Sequence, residues 1–290
     1  MAGNGRIRAR RFSLPQAYRF APAALRRQPR IIVPFSIFVF AELLCLSLLY
    51  LAPRPPLSAI LAPPIRAFWG DMYLHYPNNF LLLPQLASWS RTVLYVVIGS
   101  FLNGMAVLMV GRVYAGVREH EGVAASTLRR YGALFGVSLL LTALYVGLVK
   151  LSNGYLSSYF LVHERLLLLP PGIWMGPVVF VFDLLLGIIT QSLFVYAAPG
   201  IMLEDRSFFS SITRSFALFA QWPLVSIMLV AVPVALYVPL MVLQYKTPFF
   251  VQNNPESVLL IAAAGSLVNS LIVDLLVTVS VTYFYLKVND

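Results

Sequence analysis

Six apolar stretches, at about 31–51, 92–111, 131–149, 173–197, 216–243 and 257–286, are each long enough to cross a bilayer. A helix spanning about 30 Å of hydrocarbon needs roughly 20 apolar residues, and these six consume most of the 290. Hydrophobic residues make up 59% of the chain and charged residues 11%, with a mean hydropathy of +0.80. Such a composition lies outside the soluble range. The expected fold is therefore all-α: one polytopic membrane domain over 1–290, with no remaining segment of the roughly 50 residues that a separate soluble catalytic domain would need.

Cation placement sets the expected orientation. Arg6, Arg8, Arg10, Arg11, Arg19, Arg26, Arg27 and Arg30 precede the first stretch without a single acid. Six crossings put both termini and the loops near 112–130 and 198–215 on that same side, adding Arg112, Arg118, Arg129, Arg130, Arg206, Arg214 and Lys287. The other side holds Arg54, Arg66, Arg91, Lys150, Arg165 and Lys246, so fifteen basic residues stand against six. Positive loops stay in the cytoplasm, which predicts an inner-membrane protein with both termini inside. The net charge of +10 then reads as topology and contact with anionic lipid, through Arg19, Arg26, Arg27, Arg30, Arg129, Arg130 and Arg214, and nucleic acid is not an expected partner.

Residues 126–135 match 210–219 at five of ten positions with an offset of 84, and the same offset pairs Gly116 with Gly200 and Glu121 with Asp205. Ala23-Ala24-Leu25-Arg26-Arg27 is a fainter echo. This predicts three units, 31–111, 112–197 and 198–290, after a basic segment over 1–30, each unit an amphipathic cytoplasmic elbow followed by two membrane helices. In the first elbow Ser13 and Gln16 form a capping box, Pro15 opens the helix, and Ala17, Ala21, Ala24 and Leu25 share a face. In the third, Asp205 or Ser207 is placed to cap a helix whose Phe208, Ile212, Phe216 and Phe219 form a stripe. The outer connection over 52–91 is proline-dense. Its pieces at 57–61 and 80–83 are expected to rest at the headgroup level as a lid, as is 161–174.

Inside the membrane the informative residues are Glu42, Asn103, Asp183, Gln191, Asn269 and Asp274, and no lysine or arginine is expected deep in a span. A carboxylate at the bilayer centre costs at least about 2.5–3.5 kcal/mol, so each acid is protonated or faces a polar interior. Ser266, Ser270, Asp274 and Thr278 recur every four residues, as do Asp183, Gly187 and Gln191, while Ser100 and Gly104 allow a close approach of helices beside Asn103. Three polar faces imply one shared core.

Chemistry is not announced by any motif. Cys45 is the only cysteine, and His75, His120 and His163 lie in separate loops, so neither a disulfide nor a metal site is expected. Asp183 and Asp274 sit in like contexts, but the Gly-x-Gly-Asp signature of intramembrane aspartyl proteases is absent. A serine protease of the rhomboid type needs a histidine within its helices, and phosphate-cradling glycine loops are missing.

The stretch Ala198-Pro199-Gly200-Ile201-Met202-Leu203-Glu204-Asp205-Arg206-Ser207, continued by Ser211-Ile212-Thr213-Arg214-Ser215-Phe216-Ala217-Leu218, resembles the membrane domain of glycerophosphoryl diester phosphodiesterase-like proteins and related six-helix bacterial inner-membrane proteins. The resemblance implies an anchor or accessory module in a bacterial inner membrane, with no catalytic residue or cofactor carried over. The expectation is thus a non-catalytic accessory or scaffold subunit that contacts lipids, partner membrane proteins or its own copies. The alternative is a small secondary transporter using Glu42, Asp183 and Asp274. A water-filled cavity reaching Asp183 or Asp274 favours the second reading, and a dry packed core does not.

Overall fold

The computed structural model describes residues 14–117, 122–162 and 171–289, and every regular element among them is helical. Hydrocarbon cannot hydrogen-bond a peptide group, so each crossing must satisfy its own backbone. Six helical stretches are long and apolar enough to do so: Pro29–Tyr50, Asn79–Tyr114, Tyr131–Leu156, Gly176–Glu204, Pro223–Tyr245 and Glu256–Asn289, spans one to six.

Helix α1 (Leu14–Arg27) precedes span one, which is a short 3-10 turn at Pro29–Ile31 followed by α2 (Ile32–Tyr50). After α3 (Ser58–Phe68) and a 3-10 turn at Asp71–Leu74, span two runs unbroken through α4 (Asn79–Leu94), a π-helical turn at Tyr95–Gly99 and α5 (Ser100–Tyr114). Then come α6 (Val123–Arg129), α7 (Tyr131–Val162), α8 (Pro171–Phe194) and α9 (Ala197–Glu204). Helix α10 (Phe208–Gln221) leads to α11 (Pro223–Tyr245) and α12 (Thr247–Asn253). Span six joins α13 (Glu256–Val268) to α14 (Leu275–Asn289) through a second π-helical turn at Asn269–Asp274.

Several expectations change here. The proline-rich lid is shorter than expected: α3 contains Pro63 and Pro64, and Phe80, Leu82 and Leu83 belong to span two, where they are buried. Pro84 sits inside α4 without ending it. Phe216 lies in α10, not in span five, because the chain breaks at Trp222 and restarts with Pro223 at the first helical position. Pro233 and Pro239 sit within α11 without ending it. Ser207 is extended ahead of α10 but makes no capping hydrogen bond, and Asp205 closes α9 in the left-handed region at φ 58°. Ser13 of the expected capping box, His120, His163 and most of the 161–174 lid lie outside the described residues.

Spans one to six follow one another around the bundle, and span six closes the ring against spans one and two. Helix α1 lies across the end of this ring, with Ala17, Ala21 and Ala24 fully buried and Phe20 stacked on Tyr283 at 4.5 Å between ring centres. The Tyr18 hydroxyl donates to the Met228 carbonyl at 2.7 Å, and burial pushes its pKa up to about 12, so it stays a donor. Phe40, Leu151 and Leu260 are at least 70% exposed on the outside, as a lipid-facing surface requires. Small hydroxyls point inward instead and satisfy themselves on their own helices: Ser100 on the Val96 carbonyl at 2.7 Å, Thr190 on Leu186 at 2.6 Å, Thr282 on Thr278 at 2.7 Å.

Candidate functional site: a buried ion cluster between two cavities

Span two carries an arginine where the sequence suggested a loop. Arg91 lies near the end of α4, twelve residues into the helix, and its Nε is 2.8 Å from Oε1 of Glu42 on span one. The Glu42 side chain is only 3% exposed and that of Arg91 27%. Arg91 therefore lies within the helix of span two and not in the loop expected ahead of it. Glu42 is held further by Ser270, whose hydroxyl donates to Oε2 at 3.1 Å, and by Ser266. Arg91 also hydrogen-bonds the Tyr237 hydroxyl, which in turn donates to Oε1 of Gln244 at 3.2 Å.

Asp274 stands beside this pair, within electrostatic reach of both Arg91 and Glu42. It accepts from Nδ2 of Asn269 at 3.1 Å. That bond is a product of the π-helical turn at Asn269–Asp274, which brings residues five apart onto one another. The regular spacing of four read along 266–278 is thereby split. Ser266 and Ser270 serve Glu42, Asp274 turns to Asn269, and Thr278 donates to Oδ1 of Asn103 at 3.0 Å. Tyr95, the first residue of the other π-helical turn, also lies within electrostatic reach of Asp274 and Arg91. π-Turns inside α-helices concentrate at functional sites.

Cavities adjoin the cluster. One of about 240 Å³ is lined by Glu42, Ser88, Arg91, Tyr237, Gln244 and Ser266. A second of about 320 Å³ lies between spans two to six, with Arg91, Tyr145, Asp183, Gln191, Asn269 and Asp274 in its wall. Arg91 and Tyr237 border both, so the ion pair forms part of the partition. A third space of about 90 Å³ reaches Asn103, Gln191 and Asp274 from the side of Ser100. Asp183, Gly187 and Gln191 do share a face, and that face lines the larger chamber. A Cβ on Gly187 would come within 3.5 Å of the Tyr145 ring, so the glycine makes room for that side chain beside Asp183.

All six expected polar-core residues are thus accounted for, in two groups. Glu42, Asn269 and Asp274 gather around Arg91, and Asn103 hangs from the same helix through Thr278. Asp183, hydrogen-bonded by the Asn153 side chain, stands across the chamber with Gln191. The basic residues at the other end divide too. Arg19, Arg26, Arg27, Arg30 and Arg129 are exposed. Arg130 instead donates to the Met202 carbonyl at 2.6 Å and pairs with Asp205 at 2.8 Å. Arg214 donates to Oδ1 of Asn289 at 2.6 Å, and Nδ2 of Asn289 donates to Glu204, which also pairs with Arg206. No group of histidines, cysteines or acids able to hold a metal ion occurs among the described residues. Compared with protein-family models, curated proteins and solved structures, the chain finds no match.

Proposed function

We propose that this protein is a small secondary transporter, with Glu42, Arg91 and Asp274 as its coupling centre. One observation carries the reading: a buried ion cluster forms part of the partition between two cavities inside a membrane bundle. Two carboxylates face one guanidinium there, an odd number of charges that invites a proton or another cation to complete the set. Ionisable groups placed in a membrane interior serve such pathways by default, since they are otherwise costly. Rocking of the helices that carry the two π-turns would expose Asp274 to one cavity and then the other.

In this reading the basic end, with both chain termini, faces the cytoplasm of a bacterial inner membrane. In the same reading α1, α6 and α10 are the elbows of three units, ahead of spans one, three and five. A second reading, an accessory or scaffold subunit, draws on α1. Exposed Arg19, Arg26 and Arg27 on that helix, with exposed Arg30 just after it, suit an acidic partner or an anionic leaflet.

Reconstitution separates the two. Vesicles loaded with a pH-sensitive dye are offered a panel of small cations, anions, zwitterions and sugars. Transport predicts that at least one solute moves protons with it and that Asp274→Asn stops the movement while the protein remains folded. Should no solute move protons, the coupling centre loses its role and the accessory reading takes its place.

A further inference from the structure

The chamber between spans two to six holds two polar atoms of opposite kind that nothing in the protein satisfies. Nη2 of Arg91 is a buried donor with no hydrogen-bond partner, while Nε is ion-paired with Oε1 of Glu42 at 2.8 Å. Oδ1 of Asp183 is a buried acceptor with none, although Asn153 supports the same carboxylate. Both residues line the cavity of about 320 Å³. Buried polar atoms left unpaired cost free energy, and in native proteins each such atom asks for an occupant. A volume of about 320 Å³ falls at the small end of the roughly 300–1,000 Å³ typical of small-molecule sites.

We infer that this chamber binds a small zwitterion, an amino acid in the broad sense, with its ammonium on Asp183 and its carboxylate on Arg91. The Asp183 end is complementary to an ammonium, and the Arg91 end takes a carboxylate once a proton has settled on the Glu42 and Asp274 pair. A free carboxylate anion would meet Asp183 and Asp274 as well as Arg91, and a simple amine would leave the Arg91 donor unsatisfied. Among small organic solutes, a molecule with both ends answers both atoms. Tyr145, beside Asp183, adds an aromatic face suited to an ammonium group. Asp274, already bonded to Asn269, keeps its separate role in coupling. This assignment rests on the transport reading for its purpose, but the binding site can be tested without it.

The experiment titrates the purified full-length protein in detergent with three matched series, read by calorimetry. They are ω-amino acids from glycine to aminohexanoate, n-alkylamines of the same lengths, and n-alkanoates of the same lengths. At the best length the zwitterion should bind roughly 10- to 100-fold more tightly than either half, the loss expected for one charge-assisted hydrogen bond. Asp183→Asn should bring the zwitterion down to the level of the alkanoate. Arg91→Lys, which keeps the charge opposite Glu42, should bring it down to the level of the alkylamine. The wild-type comparison decides the matter even if a variant fails to fold. Equal binding of an amine or an alkanoate overturns the assignment, as does the absence of binding in all three series. Zwitterion binding without proton movement in vesicles would remove the transport reading and leave this site standing. Proton movement driven only by a solute that is not a zwitterion would do the reverse.

Discussion

Arg91 is the residue on which the interior depends. Removing one partner of a buried ion pair strands the other in low dielectric, at a cost of about 3–5 kcal/mol. Arg91 keeps 27% of its side-chain surface, so Arg91→Ala belongs near the lower end, about 3 kcal/mol. Arg91→Ala/Glu42→Ala should be less destabilised than Arg91→Ala alone, because no charge is then left behind. Thermal unfolding in detergent tests this, and a double variant worse than the single one would contradict the pairing. The acids were legible in the sequence because carboxylates stand out in apolar runs. Arg91 was hidden by its neighbours: Pro84, Ser88 and Ser90 give 84–91 the look of a loop, and the apolar run begins at Thr92. Those residues line the smaller cavity with Arg91, while Trp89 and Val93 point outward at 57% and 61% exposure. Spacing of three and four among Pro84, Ser88 and Arg91 was the available signal, and it reports a helix face rather than a turn.

Among the elements, spans two and three meet where glycine permits. A Cβ on Gly104 would lie 2.5 Å from Cδ1 of Leu134 and 3.0 Å from Cγ2 of Thr127, both buried. Gly104→Val should cost about 1–3 kcal/mol through overpacking. Gly147 has no neighbour within 4 Å, so Gly147→Ala should leave the unfolding temperature equal or raise it, by up to about 1 kcal/mol of helix propensity. Similar losses at both glycines would refute the close approach. At the opposite end from α1, Arg66 donates from Nε to Oδ1 of Asp71 at 2.6 Å, and His75 lies 3.3 Å from Oδ2. The Arg66 bond, then the His75 one, holds the Asp71 carboxyl below its ordinary 3.8. A depressed acid contributes above its unfolded pKa and loses that contribution as pH falls through the folded value. Hydrogen exchange over 58–75 should therefore be level from about pH 8 to 5 and quicken, beyond its intrinsic pH dependence, only below about pH 4. Quickening that already begins well above pH 4 would contradict the assignment to Asp71. That α3 forms at all despite Pro63 and Pro64 was not legible, since proline density marks a loop until packing decides otherwise. Ala62 and Ile65, both buried, are what decide it. The π-turns were invisible for a different reason, because one inserted residue leaves hydropathy unchanged and alters only the phase of the side chains beyond it.

For the molecule as a whole, hydropathy alone revealed the six crossings, and the charge count supplied an orientation that labelling can check. Cys45 is a free thiol within span one, so a Cys45→Ala background makes single introduced cysteines readable. In intact cells, an impermeant thiol reagent should modify Ser58→Cys and spare Asn289→Cys. The opposite pattern would invert the molecule and reassign its two cavities. How the crossings close into a ring was beyond the sequence, because lipid-facing and partner-facing leucines look alike until neighbours are known. Spans two and six are 36 and 34 residues long. At 1.5 Å per residue each is about 50 Å or more, well beyond the roughly 30 Å of hydrocarbon. These two rods pack against each other along their length and carry Arg91 and Asp274 far from either tip. The shorter spans one and five, 22 and 23 residues long, set the thickness that the bundle fits, so the surplus of the two rods must tilt or stand proud of the hydrocarbon.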